Sequence, residues 1–154
     1  MKLSFWLILS LFVSVPAGAS PHDVFGLWAS EAKDGHVEIS DCGNGTPCGV
    51  LVWVDPEKGG ATLDVRNNNK DLRKRPLIGV PIIWNFQRSK KGWRSGRIYN
   101  PEDGKVFTAH VRRQDENHLK VKGCLAVVCI TNIWTRLPSS AETVTPSTGD
   151  SKDD

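Results

Sequence analysis

The stretch Lys91-Gly92-Trp93-Arg94-Ser95-Gly96-Arg97-Ile98-Tyr99-Asn100-Pro101-Glu102-Asp103-Gly104-Lys105-Val106-Phe107-Thr108-Ala109 decides the fold. Two runs rich in aromatic and β-branched residues flank Asn100-Pro101-Glu102-Asp103-Gly104. Proline fixes φ there and glycine accepts a positive φ, so the chain must reverse and the two runs pair as a β-hairpin. Hairpin-sized units recur on both sides, which makes this one the middle of a meander.

Upstream, residues 24–30 read as a first strand, Lys33-Asp34-Gly35 as a turn, and residues 36–40 alternate as a half-exposed strand should. Residues 49–54 contain no polar side chain and read as a strand with its outer face covered or buried. A strand over residues 77–87 leads into the hairpin, and residues 107–112, 119–123 and 129–136 complete the set. The expected fold is all-β, with eight short antiparallel strands, little helix and tight turns. An up-and-down barrel removes the exposed sheet edges most simply. A two-sheet sandwich is the alternative.

Residues 55–76 break the pattern, and a loop of that length in a small domain is usually a working part. It is expected to be the most mobile part of the fold, hinged near Gly59 and Gly60, with a short helical turn near residues 68–72 and a latch between Asp64 and Arg73 or Arg75.

The fold occupies residues 20–137. Lys2, the apolar run 3–15 and Ala17-Gly18-Ala19 have the form of a signal peptide over residues 1–19, too short for a membrane span of about 20 residues. Residues 138–154 contain no aromatic residue and one β-branched apolar one, Val144, and are expected to be a disordered tail. Removing Lys2 with the leader leaves 19 basic and 17 acidic residues, a net charge of +2 that gives no case for nucleic acid. The resulting expectation is a secreted protein, periplasmic or extracellular if bacterial, with no transmembrane segment after cleavage. Cys42, Cys48, Cys124 and Cys129 form two close pairs, which in an exported chain read as two local disulfides. A four-thiolate zinc site is the alternative, although the spacings are wider than usual for one.

Gly26-x-Trp28 on the first strand, with Trp134 and Arg136 on the last, resembles the barrel closure of lipocalins, in which a tryptophan closes the floor beneath an arginine. Over residues 25–137 the chain also resembles the secreted bacterial family called domain of unknown function 2147. That match rests on Cys42-Gly43 with Cys48-Gly49, Val52-Trp53, Asp64-x-x-Asn67, Arg73-x-Arg75-Pro76-Leu77-x-Gly79, Trp93-x-x-Gly96-x-Ile98-Tyr99-Asn100-Pro101-x-x-Gly104-Lys105, Leu119-x-Val121-x-Gly123 and Trp134-x-Arg136. The chain departs from the family at Asn68, where proline is usual, and at Phe107, where tyrosine is usual. The resemblance implies a lipocalin-like or calycin-like barrel and no particular activity.

The candidate chemistry is binding. Trp53, Trp84, Trp93, Tyr99 and Phe107 either line a cavity for an apolar ligand or fill the barrel as core. Arg73 and Arg75 with Asp64 offer contacts to an anion or simply hold the loop. Strand alternation puts Trp93, Arg97 and Tyr99 on one face, and an inward Arg97 would require an anionic partner. The four histidines lack metal-ligand spacing, and nucleophile, phosphate-loop and dinucleotide motifs are absent from the sequence, so no metal, cofactor or catalytic residue is assigned. The expected function is binding of a small, partly apolar, anionic molecule. The alternative is a filled barrel acting as a cell-envelope interaction protein.

Overall fold

The structure, a computed structural model, describes residues 20–58 and 60–138. The expected signal peptide, the expected tail beyond Pro138, and Gly59 of the expected hinge lie outside the described residues.

Nine strands form one antiparallel sheet: β1 Gly26–Ala29, β2 Gly35–Asp41, β3 Pro47–Val54, β4 Pro81–Trp84, β5 Gln87–Ser89, β6 Gly92–Asn100, β7 Lys105–Arg113, β8 His118–Leu125 and β9 Val128–Arg136. Helix among the described residues is limited to one 3-10 turn, Lys70–Leu72. The neighbours run β4-β3-β2-β1-β9-β8-β7-β6-β5, and a β4–β6 pairing joins the two ends. The sheet is therefore a closed eight-stranded barrel in which β4 and β5 share one strand position. Asn85, at φ 59°, interrupts that strand and lets Phe86 bury itself. A Cβ on Gly96 would lie 2.4 Å from the Phe86 ring, so the bare glycine makes room for it.

The meander explains most of this topology, because each tight turn delivers a strand beside its predecessor. Only β1 and β9 must find each other across the chain, through Trp28 opposite Arg136 and Ala29 opposite Thr135. The disulfides Cys42–Cys48 and Cys124–Cys129 form as expected, the second between directly opposed residues of the β8–β9 hairpin. Inside the first, Asp41 Oδ1 accepts the backbone N–H groups of Gly43, Asn44 and Gly45, which hold the carboxyl below its usual range.

The core is asymmetric along the barrel axis. Val24, Trp28, Ile39, Ile83, Val111 and Leu119 are fully buried. Toward the other end Leu125, Val128 and Ile130, on the same alternation as buried Val121 and Trp134, are 59%, 67% and 69% exposed. One end is packed and the other is open.

Candidate functional site

The closed end is built by the chain's first described residues. Trp28 Nε1 donates to Val24 O at 2.9 Å, Trp93 Nε1 to His22 O at 2.9 Å, and His22 Nε2 lies 2.7 Å from Ser89 O. Asp23 pairs with Arg113. The Arg136 guanidinium sits 4.4 Å over the Trp28 ring, and a Cβ on Gly26 would lie 2.7 Å from its Nη1, so glycine is the residue that lets the arginine cross. The Trp28 ring and the Arg136 guanidinium thus meet at this end of the barrel, and Trp134 is 5% exposed.

Above the floor lies an open cavity of about 900 Å³. Val37, Leu51, Ile82, Ile98, Phe107 and Val121 form its walls, with Trp134 at the base and Leu125, Val128 and Ile130 toward the mouth. Charged residues bordering it, Glu31, Asp34, Lys58, Arg66 and Glu102, come from the turns and loop at the mouth, so the polar groups ring an apolar interior.

The long loop forms one side of this mouth, held by a buried polar node. Asp64 is 1% and Asn67 6% exposed. The Asp64 carboxylate accepts from Tyr99 Oη, from Asn67 Nδ2 at 2.7 Å, and from Arg75 through Nε at 2.9 Å and Nη2 at 2.8 Å. Asn67 Nδ2 also reaches Tyr99 Oη at 3.1 Å, and Arg73 Nε donates to Asn67 O at 2.8 Å. Burial, followed by the adjacent Asp64 carboxylate, pushes the Tyr99 hydroxyl up to about 12. Every buried side-chain polar atom among the described residues has a partner. The turn between β6 and β7 is clamped from the same side: Arg66 Nη1 donates to Glu102 O at 2.7 Å, and a Cβ on Gly104 would lie 1.8 Å from Arg66 O.

These contacts correct two expectations about the loop. Arg75 is the partner latched on Asp64, and an exposed ion pair, as a surface latch on a loop would be, is not what forms: the Asp64 carboxylate is buried. Leu77 N to Thr62 O at 3.0 Å and Asp64 N to Arg75 O at 3.0 Å close residues 62–77 on themselves, and Asn67 Nδ2 to Tyr99 Oη at 3.1 Å, Arg66 Nη1 to Glu102 O at 2.7 Å and Asn68 N to Gly104 O at 3.4 Å fasten them to β6 and the β6–β7 turn, so this part is built as fixed rim and not as a free flap. The expected helical turn is the one at Lys70–Leu72, with Asn69 capping it.

The aromatic residues separate into different places. Phe107 and Tyr99 border the cavity. Trp93 belongs to the floor. Trp53 lies on the outer face, 37% exposed and stacked on His36 with ring centroids 4.2 Å apart, and partial burial lowers the His36 pKa. Trp84 alternates with inward Ile83, pairs with Arg97, and does not border the cavity. The predicted face shared by Trp93, Arg97 and Tyr99 fails at a bulge: Trp93 opposes Val111 and Gly96 opposes Ala109, so Arg94 and Ser95 together face His110. Ser95, at φ 55°, absorbs the extra residue. Gly96 and Ile98 therefore follow Trp93 inward, while Arg97 faces solvent and donates to Thr108 Oγ1 at 3.2 Å. Sequence reading missed the aliphatic mouth residues Leu125, Val128 and Ile130. The available signal was a hairpin turn, Leu125-Ala126-Val127-Val128, made of apolar residues where glycine, asparagine or aspartate is usual.

The family described as "Uncharacterized protein conserved in bacteria (DUF2147)" matches residues 26–136. No curated protein matches the sequence. A solved structure of the Helicobacter pylori protein HP1028, described as belonging to the lipocalin family, is similar to this chain with a TM-score of 0.65 and 22% identity, over 78% of this chain and 86% of that one. At that identity the likeness bears on the fold, a lipocalin-like barrel.

Proposed function

We propose that this chain, which belongs to the bacterial DUF2147 family, is an extracytoplasmic carrier that holds a small, mostly apolar molecule in the open half of its barrel. The observation that carries the reading is the cavity of about 900 Å³ with Leu125, Val128 and Ile130 turned toward it and left exposed. An interior filled as core would have covered them, and the volume lies within the usual range of about 300 to 1,000 Å³ for ligand pockets. The filled-barrel alternative has no such observation behind it. The two disulfides are compatible with an extracytoplasmic location and support the reading of residues 1–19 as a signal peptide.

The ligand's apolar body lies between Phe107, Ile98, Val121 and Ile130. Its polar or anionic end stays at the mouth beside Lys58 and Arg66, because neither Arg97, Arg73 nor Arg75 is directed into the interior: Arg97 faces out, and the other two are engaged with Asn67 and Asp64. Binding fits the site better than catalysis. Tyr99, with its hydroxyl raised to about 12, is a poor proton carrier near neutral pH.

Native mass spectrometry after mild purification, combined with Trp134 quenching by fatty acids and isoprenoids, tests the proposal. A bound species and saturable quenching are expected, with Ile130→Trp weakening binding by tenfold or more through loss of space. A chain that arrives empty and shows no saturable quenching with either ligand class refutes it.

A further inference from the structure

The β8–β9 hairpin ends in Leu125-Ala126-Val127-Val128, followed by Ile130, and its side chains are among the most exposed apolar groups described: Val127 is 95%, Val128 67% and Ile130 69% exposed. The Cys124–Cys129 disulfide closes this tip one residue before Leu125, so the apolar groups are presented on a stiff projection. A monomer gains nothing in solution from placing four apolar residues at a turn.

A second feature adjoins the tip. Strands β4 to β9 contain nine Lys and Arg residues and no Asp or Glu. On the outer wall of β6, β7 and β8 the cations stand in successive rows beginning at the stapled end. Arg97 shares the row of Thr108 and Cys124, Lys122 opposes His110 beside Arg94, and Lys120 opposes Arg112. Lys120 is four residues from Cys124, so the charged field extends about 13 Å down the wall. Like charges set directly opposite each other destabilise a sheet. None of Arg94, Arg97, Arg112, Lys120 or Lys122 has an ion-pair partner among the described residues. A shallow depression of about 170 Å³ lies among Lys91, Arg94, His110, Arg112, Lys120 and Lys122.

We propose that the β6–β8 wall docks side-on against a lipid bilayer containing anionic phospholipid, with the tip at Val127 and Val128 entering the headgroup region and the cations of the wall facing the phosphates. A projecting apolar tip beside a diffuse field of one charge suits a fluid anionic surface, which supplies apolar depth and distributed negative charge without shape matching. A second copy meeting the same face would set cations against cations. Docking in this orientation brings the β8–β9 lip of the cavity mouth to the bilayer, and it stands whether or not the cavity holds a ligand.

Vesicle flotation of the chain beginning at Ser20, which contains every described residue, tests this. Binding is expected to phosphatidylcholine–phosphatidylglycerol vesicles, weaker with phosphatidylcholine alone and weaker in high salt. Val127→Asp and the pair Lys120→Glu with Lys122→Glu should each reduce binding roughly tenfold or more, on the order of 1 kcal/mol per basic residue near such a surface. All three positions lie outside the cavity walls, so Trp134 quenching reports independently on ligand binding, and circular dichroism reports on folding. Absence of flotation with anionic vesicles overturns the proposal, as does flotation unchanged by Val127→Asp. So does a dimer, measured by sedimentation, that Val127→Asp abolishes in a chain that does not float.

Discussion

Replacing Asp64 by alanine is the most informative single change, because the buried node either holds the rim or merely decorates it. The substitution removes the acceptor for Tyr99 Oη, for Asn67 Nδ2 and for two nitrogens of Arg75. Breaking a buried pair by deleting one partner costs about 3 to 5 kcal/mol, and a buried donor left unsatisfied about 1 to 3 kcal/mol. Arg75, whose side chain is 31% exposed, recovers part of its hydration. The expected cost is therefore near the lower end, about 3 kcal/mol. For a domain of this size that lowers Tm by roughly 10 °C. Tyr99→Phe removes one donor and leaves the carboxylate its bonds to Asn67 and Arg75, so it should cost about 1 kcal/mol. Urea unfolding followed by tryptophan fluorescence measures both, and the double mutant measures their coupling. If Asp64→Ala costs less than about 1 kcal/mol, the node behaves as an exposed ion pair and the account of a built-in rim is wrong.

Stability should fall as pH rises from about 10 toward 12: the unfolded tyrosine ionises first, while folded Tyr99, held neutral up to about 12, keeps its proton, and Tyr99→Phe should flatten that part of a pH–stability curve. Gly26→Ala forces a Cβ to 2.7 Å from Arg136 Nη1 at a backbone φ of +120° and should destabilise the fold by about 1 to 3 kcal/mol in denaturant titrations, with Trp28 fluorescence altered in the native state. Trp84→Ala should leave ligand affinity unchanged within about twofold, since Trp84 packs outside the cavity, and a large loss of Trp134 quenching in this variant would contradict the cavity's assignment.

The barrel was legible because its signals are local. Every turn but Leu125–Val128 carries its own proline, glycine or asparagine, and Gly26, Trp28 and Arg136 mark where the first and last strands meet. The inner face was not legible throughout. One bulge residue, Ser95, reverses the faces of everything after it on β6, and a serine in the left-handed region leaves no reliable trace in the sequence. Residue type alone suits the aromatics to a ligand cavity or to a core. Their positions depend on register, which sends Trp53 outward with His36 and Trp93 to the floor. The polar residues of the family pattern, Asp64, Asn67, Arg73, Arg75 and Tyr99, proved to be mutual partners. That could not be read from positions up to 35 residues apart in sequence. The cavity was equally hidden, since a hollow interior differs from a filled one only in what the side chains fail to reach.

The pairing of β1 with β9 has a consequence for handling and rewiring the chain. Leu137 N bonds to Leu27 O at 2.9 Å, and Arg113 N bonds to Pro21 O at 3.1 Å, so both ends of the described chain leave from the floor, side by side and opposite the mouth. A fusion partner or surface linker attached at either end hangs beneath the barrel and leaves the mouth open to solution. A short peptide joining the two ends, with a new break in the exposed β2–β3 turn, would give a circular permutant in which β1–β9 becomes an ordinary hairpin. The long-range closure would pass instead to β2 and β3, whose Cys42–Cys48 bridge would then span the new termini and hold them together.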